Sequence, residues 1–325
     1  MVRSVFVSLV LLAGAAVAEP TKVFVGTHVV EMRNIDSRAE SFYADFYVWL
    51  RFKAVDEQQA AQIIEKLEPL NGKFESKEEA DRKQIGDETY VCFRVSGTFF
   101  FRQDLRKYPF DVQALELILE NSNLETSEMV FVDDRETYLR SGEVERLWGV
   151  NPALSIPEFR LSAVERTTSE AVYKTDFGDP SRKKGESHYS RFTVQVNFVR
   201  EYWSYVFKIV IPLLIILAMA YLVFFIPPAQ IDTAASVAVT ALLSCMAYNV
   251  AVASNMPEIG YLAISDKFFI GTYALLFLTL AETFVTFVLD DRGEKERALK
   301  IEKASRWAFP LLVGVIFAFV SFGAR

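Results

Sequence analysis

Asp232, Ser236, Thr240, Leu243, Ala247, Val250 and Ser254 recur at steps of four, four, three, four, three and four, which places them on one face of a helix. That face is acidic at one end, hydroxylated next, and apolar from its middle onward. The segment carries no charge from Thr233 to Pro257, long enough to cross a bilayer at about 20 residues per span. Against lipid such a stripe wastes helix surface, whereas polar groups inside a membrane face a bundle interior or a water-filled path. The chemistry it suits is passage of ions rather than bond making: Asp232 for charge selection, Ser236 and Thr240 for a hydrated passage, and Leu243 to Val250 for closure by dewetting. Small and hydroxylated residues also allow close helix packing, which is the reading for Ser244 and Asn249, off the stripe. An acid at Asp232 adds nothing to packing.

One stripe cannot surround a channel, so it implies a symmetric ring of subunits, each lending one helix. A carboxylate attracts a monovalent cation about 4 Å away by about 1 kcal/mol in water and about 4 kcal/mol at an effective dielectric of 20. A ring of Asp232 side chains therefore favours cations at the mouth. Metal-ligand spacing, a nucleophile elbow and a phosphate loop are all missing from the sequence, so no enzyme and no cofactor is expected. The net charge of −7 and the lack of a basic tract argue against nucleic acid as a partner, because neutralising phosphates needs clustered Lys and Arg.

The elements that hold the stripe are legible in outline. With 51% hydrophobic residues and 28 Phe among 325, the chain is too apolar for a soluble protein of this size and reads as an exported part joined to a membrane part. Residues 1–18 look like a secretory signal: Arg3, an apolar core, then Ala16-Val17-Ala18 before Glu19. From 19 to 200 the pattern is mostly period two. In FYADFYVWLRF the apolar set is Phe42, Ala44, Phe46, Val48, Leu50 and Phe52, and in RFTVQVNFVR it is Phe192, Val194, Val196 and Phe198. Further strands are expected at 23–31, 89–101, 112–120, 129–133 and 158–173, with turns at Asn71-Gly72, Ser141-Gly142 and Gly178-Asp179-Pro180 and a short helix within 55–70. Many short strands over about 180 residues predict an all-β, immunoglobulin-like sandwich. From 201 to 325 the composition turns apolar, and four membrane helices are predicted at about 203–226, 230–253, 261–289 and 305–323. The loop before the last one carries Arg292, Lys295, Arg297, Lys300, Lys303 and Arg306, which agrees with a cytoplasmic side there and the sandwich outside. Cys92 and Cys245 fall in different parts and are not expected to pair.

Within the exported part, RQDLRKYPFDVQALEL resembles the signature loop of the pentameric ligand-gated ion channels, the Cys-loop receptor family. Tyr108-Pro109-Phe110-Asp111 match its aromatic-Pro-Phe-Asp core, while Phe101 and Leu115 stand where animal members carry two cysteines, as in the cysteine-free prokaryotic type. Arg200, Pro212, the Ser236-Thr240-Leu243 stripe, Asn255, Pro257 and Glu282 also match. The resemblance implies a homopentamer in a bacterial inner membrane, multi-pass, with the sandwich in the periplasm, sensing an unidentified small molecule or pH at subunit interfaces and opening a pore for monovalent cations. It implies coupling through Asp36, Pro109, Phe110, Asp111, Arg200, Pro257 and Lys267, with Asp111 and Arg200 as a buried acid and base. By the family's layout a ligand lies beneath Tyr173, Phe177 and Tyr189, facing Tyr47, Trp49 or Arg51 across the interface; solvent-facing aromatics serve equally as subunit-packing residues. A Trp-x-Pro motif common in relatives is missing from 55–90. His188, in the ligand loop, is either a pH-dependent element or incidental, and Glu282 is either functional or an interfacial carboxylate. Two rivals stand beside this reading: a membrane-anchored sensor or scaffold that does not conduct, and an anion channel of the same fold.

Overall fold

The computed structural model describes residues 19–141, 147–178, 185–254, 256–257 and 259–322. The signal segment, Gly142, Asp179, Pro180 and Asn255 lie outside them. The first part is a sandwich of two sheets. Strands β1 (Thr21–Asp36), β2 (Ser41–Phe52), β4 (Gly72–Ile85), β5 (Glu88–Phe100) and β7 (Met129–Asp133) form a five-stranded sheet in the order β4-β5-β2-β1-β7. Strands β3 (Leu67–Pro69), β6 (Val112–Asn121), β8 (Phe159–Tyr173) and β9 (Ser187–Arg200) form a four-stranded sheet in the order β3-β6-β9-β8.

The period-two sets meet between the sheets. Phe42, Ala44, Phe46, Val48, Leu50 and Phe52 are at most 1% exposed, as are Phe192, Val194, Val196 and Phe198. Phe42 and Phe99 oppose each other in the β2–β5 register with ring centroids 5.7 Å apart, and Phe101 packs edge-on to Phe42. Each such ring removed from water contributes about 1.5–3 kcal/mol. The short helix expected within 55–70 is α1 (Glu57–Glu65), started by Asp56, whose carboxylate accepts from the Gln59 N–H at 2.7 Å.

Strand β4 has no counterpart among the expected strands. Its sequence, GKFESKEEADRKQI, is charged and lies mostly exposed at the sheet edge, interrupted by two bulges. The ladder to β5 holds it, so it needs no buried alternation, and its charges suit an edge that must not recruit further strands. A second unforeseen element, α2 (Arg135–Ser141), follows β7.

The chain enters the membrane part straight from β9. Helices α3 (Tyr202–Leu222), α4 (Ile231–Ala253), α5 (Ile264–Asp291) and α6 (Lys295–Phe322) are each long and apolar enough to cross a bilayer. The last departs from expectation: α6 starts at Lys295, not near 305, and the connection to α5 is three residues, Arg292 to Glu294. The Lys, Arg and Glu residues read as a loop are good helix formers, and a helix beyond the hydrocarbon needs no apolar run.

Asn71, expected in a turn, ties the two sheets together. Its Nδ2 donates to the carbonyls of Phe100 and Glu116 at 2.8 and 2.7 Å, and its Oδ1 accepts from the Ile118 N–H at 3.1 Å. Asn71→Ala is expected to lower the sandwich's unfolding free energy by about 2–4 kcal/mol through three lost bonds; an unchanged urea midpoint at constant slope would contradict that role.

Candidate ion pathway and domain junction

Helix α4 carries two opposed surfaces. Ala234, Ala238, Ala241 and Cys245 are buried at 4% exposure or less against the rest of the bundle. Asp232, Ser236, Thr240, Leu243, Ala247, Val250 and Ser254 are all exposed, within an arc of about 80° at 100° per residue and on the opposite side of the helix. From Asp232 to Val250 the stripe rises about 27 Å at 1.5 Å per residue. Small residues on the buried side let α4 sit close to its neighbours, which leaves the stripe as the surface that the single chain does not cover. Asp232, in the first turn, also complements the positive end of the helix dipole. The Thr240 hydroxyl donates to the Ser236 carbonyl at 2.7 Å. Off the stripe, Asn249 donates to the Tyr273 hydroxyl of α5 at 2.9 Å, a bond between packed helices.

At the junction of sandwich and helices, Arg200 and Asp111 form a buried two-pronged pair. Nε reaches Oδ1 at 2.8 Å and the second prong reaches Oδ2 at 3.0 Å, with side chains 4% and 1% exposed. The Gln113 amide also donates to Asp111, and the Arg200 N–H donates to the Asp111 carbonyl at 3.2 Å. Phe159, Tyr108 and Tyr205 place their rings 4.5, 5.2 and 5.3 Å from the guanidinium carbon, favourable positions for a cation over aromatic faces. Burial draws the guanidinium pKa down and Asp111 more than restores it, leaving it above the ordinary value. Burial also pushes the Tyr108 hydroxyl up.

From this pair the bonds continue into the helices. Arg200 donates to the Tyr205 hydroxyl at 3.3 Å, and that hydroxyl donates to Glu158. Tyr248 of α4 donates to the Lys208 carbonyl of α3. On the other side, the Leu105 N–H donates to the Tyr261 hydroxyl at 2.9 Å and the Arg106 guanidinium lies 5.1 Å from that ring. Tyr261 belongs to the α4–α5 connection, so Leu105 and Arg106, rather than Phe110, meet that connection. Phe110 instead packs at a tilt against Tyr202 at the head of α3, with centroids 5.3 Å apart, and Pro109 is buried. Pro257 is half-buried and Lys267 exposed in the first turn of α5. Asp36 does not join the Asp111–Arg200 pair: its carboxylate accepts from the N–H groups of Arg38 and Ala39 at 2.8 and 2.9 Å. It shares with Arg200, Tyr205, Glu158 and Lys208 a cavity of about 930 Å³ between sandwich and helices.

The expected ligand residues fall into two groups. Tyr173, Phe177 and Tyr189 form a cluster with centroids 5.6 to 6.4 Å apart, beside a cavity of about 380 Å³ on the four-stranded sheet that Glu68, Glu120 and Asp176 also line. Trp49 and Arg51 lie on the five-stranded sheet, and their polar atoms are already engaged. Trp49 donates to Asp134 at 2.9 Å, and Arg51 pairs with Glu88 at 2.6 Å and Asp134 at 3.4 Å. Tyr47 stands apart from these beside Arg94, 5.8 Å from its ring centroid. One chain thus does not bring the two groups together. His188 contacts Glu170 at 2.8 Å and Glu186 at 3.9 Å.

Sequence reasoning missed Tyr205, Glu158, Tyr261 and Asp134. Tyr205 follows Arg200 by five residues at a strand-to-helix boundary, and Asp134 forms an acid pair with Asp133 just after a strand; both are signals of position. Glu158 and Tyr261 carry no such mark, because only the packing of sandwich on helices brings them into use.

A sandwich whose last strand continues into four helices long and apolar enough to cross a membrane defines a multi-pass membrane protein. No family model matches the chain. It is 26% identical over 328 aligned residues to a proton-gated ion channel of Gloeobacter violaceus, covering 94% of this chain and 84% of the relative. It is 22% identical to pH-sensitive chloride channel 2 of Anopheles gambiae and to the gamma-aminobutyric acid receptor subunit beta-4 of Gallus gallus, each over 66% of this chain but only 33% and 40% of the relative. These relatives are members of the pentameric ligand-gated ion channel family, to which the chain is similar over almost its whole length. Its relatives are channels and a receptor subunit, and it is not an enzyme.

Removing one partner of a buried pair leaves the other charge uncompensated, so Asp111→Ala is expected to cost about 3–5 kcal/mol. In a double-mutant cycle with Arg200→Met, the second substitution is expected to recover a large part of that loss. Additive losses in chemical unfolding would show that the two side chains do not act as a pair.

Proposed function

We propose that the chain forms a homopentameric, cation-selective channel in a bacterial inner membrane, opened by a small molecule or by protons sensed at subunit interfaces of a periplasmic sandwich. The observation that carries this reading is the stripe on α4, which is exposed in the single chain directly opposite the alanine face that packs into the bundle. Five copies around an axis turn it into the lining of a pore, with Asp232 at the cytoplasmic mouth and Leu243 at mid-depth. The relatives include a chloride channel, so the charge preference rests on Asp232 itself. Glu68 and Asp176, which line the cavity beside Tyr173, Phe177 and Tyr189, favour a cationic molecule or protons as the signal. Asp36, Pro109, Phe110, Pro257 and Lys267, on the segments between the sandwich and the helices, act with the Asp111–Arg200 pair in coupling the sandwich to α4 on this reading.

Purified protein in liposomes should pass monovalent cations when candidate amines or acidic buffer are added, and its mass should equal five chains; no flux under any of these conditions would favour the non-conducting sensor. Asp232→Lys is expected to abolish or reverse the cation preference, since each subunit exchanges an attraction of about 1–4 kcal/mol for a repulsion of the same size. Reversal potentials in a salt gradient read this directly, and unchanged values would remove Asp232 from selection. Leu243→Ser is expected to raise basal opening by making the constriction wettable; a channel that assembles normally and stays shut in planar bilayers would place the gate elsewhere.

A further inference from the structure

Glu282 of α5 lies inside the bundle, away from the α4 stripe, and its Oε1 is buried with no hydrogen-bond partner among the described residues. The charged and polar groups facing it are Ser305, Glu302 and Arg306 of α6 and Thr279 of α5, whose hydroxyl donates to the Leu275 carbonyl at 3.0 Å. Arg306 does not serve it. Its guanidinium is 3.5 Å from Glu302, its Nε donates to the Phe224 carbonyl at 2.9 Å, and it lies 4.7 Å from the Phe225 ring. Glu302, 4% exposed, takes up that charge, and the turn after α3 contributes Phe224 to this site. Ser305 hydrogen-bonds Glu282 and Arg306 acts on it only from its pairing with Glu302, so among the described residues Glu282 has no paired countercharge. Such a group in apolar surroundings is costly unless it gains a partner.

Beside it is a cavity of about 80 Å³, walled by Phe224, Leu275, Phe309 and the rim residues Leu278 and Leu312. Leu278 and Leu312 are 54% and 40% exposed and belong to helices that cross the membrane, so the mouth meets acyl chains rather than water. An inorganic cation suits this place poorly, since it requires about six oxygen ligands and must shed its water to arrive through hydrocarbon. An amine with an alkyl tail crosses hydrocarbon as the neutral base, becomes an ammonium beside a carboxylate, and keeps its tail among apolar side chains.

We propose that Glu282 and this cavity form a lipid-accessible binding site for hydrophobic amines, the ammonium on Glu282 and the alkyl chain leaving between Leu278 and Leu312. The site is independent of conduction and is tested by binding alone. The full chain in phosphatidylcholine nanodiscs is titrated with N,N-dimethyldecylamine and with 1-decanol, and occupancy per chain is read by native mass spectrometry. The amine is expected to bind at least about tenfold tighter than the alcohol, and Glu282→Gln to remove that advantage, with alcohol binding unchanged. Leu278→Trp, which blocks the mouth from an exposed position, is expected to weaken both. Equal binding of amine and alcohol to the unsubstituted chain overturns the proposal, as does amine binding that Leu278→Trp leaves untouched. These two arms decide the matter even where Glu282→Gln fails to fold.

Discussion

The ion pair of Asp111 and Arg200 is the constraint on which the arrangement of the two halves rests. Arg200 is the last residue of β9 and lies two residues before α3 begins, while Asp111 closes the loop that precedes β6. A two-pronged bond between them fixes that loop to the point where the chain turns from sheet to helix. Taken out of water, neither charge tolerates loss of the other, so the loop follows β9 rather than moving freely beneath the sandwich. The rings of Phe159, Tyr108 and Tyr205 fill the space around the guanidinium, and Tyr205 passes the connection to Glu158. Leu105 and Arg106, held by the same loop, then meet Tyr261 at the far end of α4.

The helices answer a different demand. Four apolar helices in lipid gain little from being apolar, since acyl chains are equally so, and close approach of small residues supplies the contact instead. Ala234, Ala238 and Ala241 provide it for α4. The polar stripe opposite is tolerable only if further subunits shield it from lipid and water fills the space between them. A helix poorly made for life in lipid suits the ring proposed above. Glu282 is a separate case, since it lies between helices of one chain and no described residue pairs with it as a countercharge.

Much of the fold was legible because burial on one face imposes a period. The Phe42 to Phe52 and Phe192 to Phe198 sets pointed to strands over a core, and the spacing of the α4 stripe pointed to one face of a helix. Strand β4 was not legible: an edge strand is held by its ladder to β5, and a ladder leaves no mark in side-chain type. The first ten residues of α6 escaped for a related reason, because hydropathy reports only the part of a helix that crosses lipid. For the candidate site, the Tyr108 to Asp111 motif and Arg200 stood out as residue types in an expected order. Trp49 and Arg51 also stood out, yet Asp134 and Glu88 occupy their polar atoms.

By itself, then, the sequence determined which faces are buried, where the membrane part starts, and which residues form the stripe on α4, since these follow from local periodicity and composition. Which groups meet was decided only by the tertiary structure. Arg200 pairs with Asp111, while Asp36 caps its own turn and Glu282 turns a buried Oε1 without a partner among the described residues toward a cavity. The reason is physical: a charge's partner is set by distance and burial, and residues 89 positions apart acquire both only when sheet and helices pack.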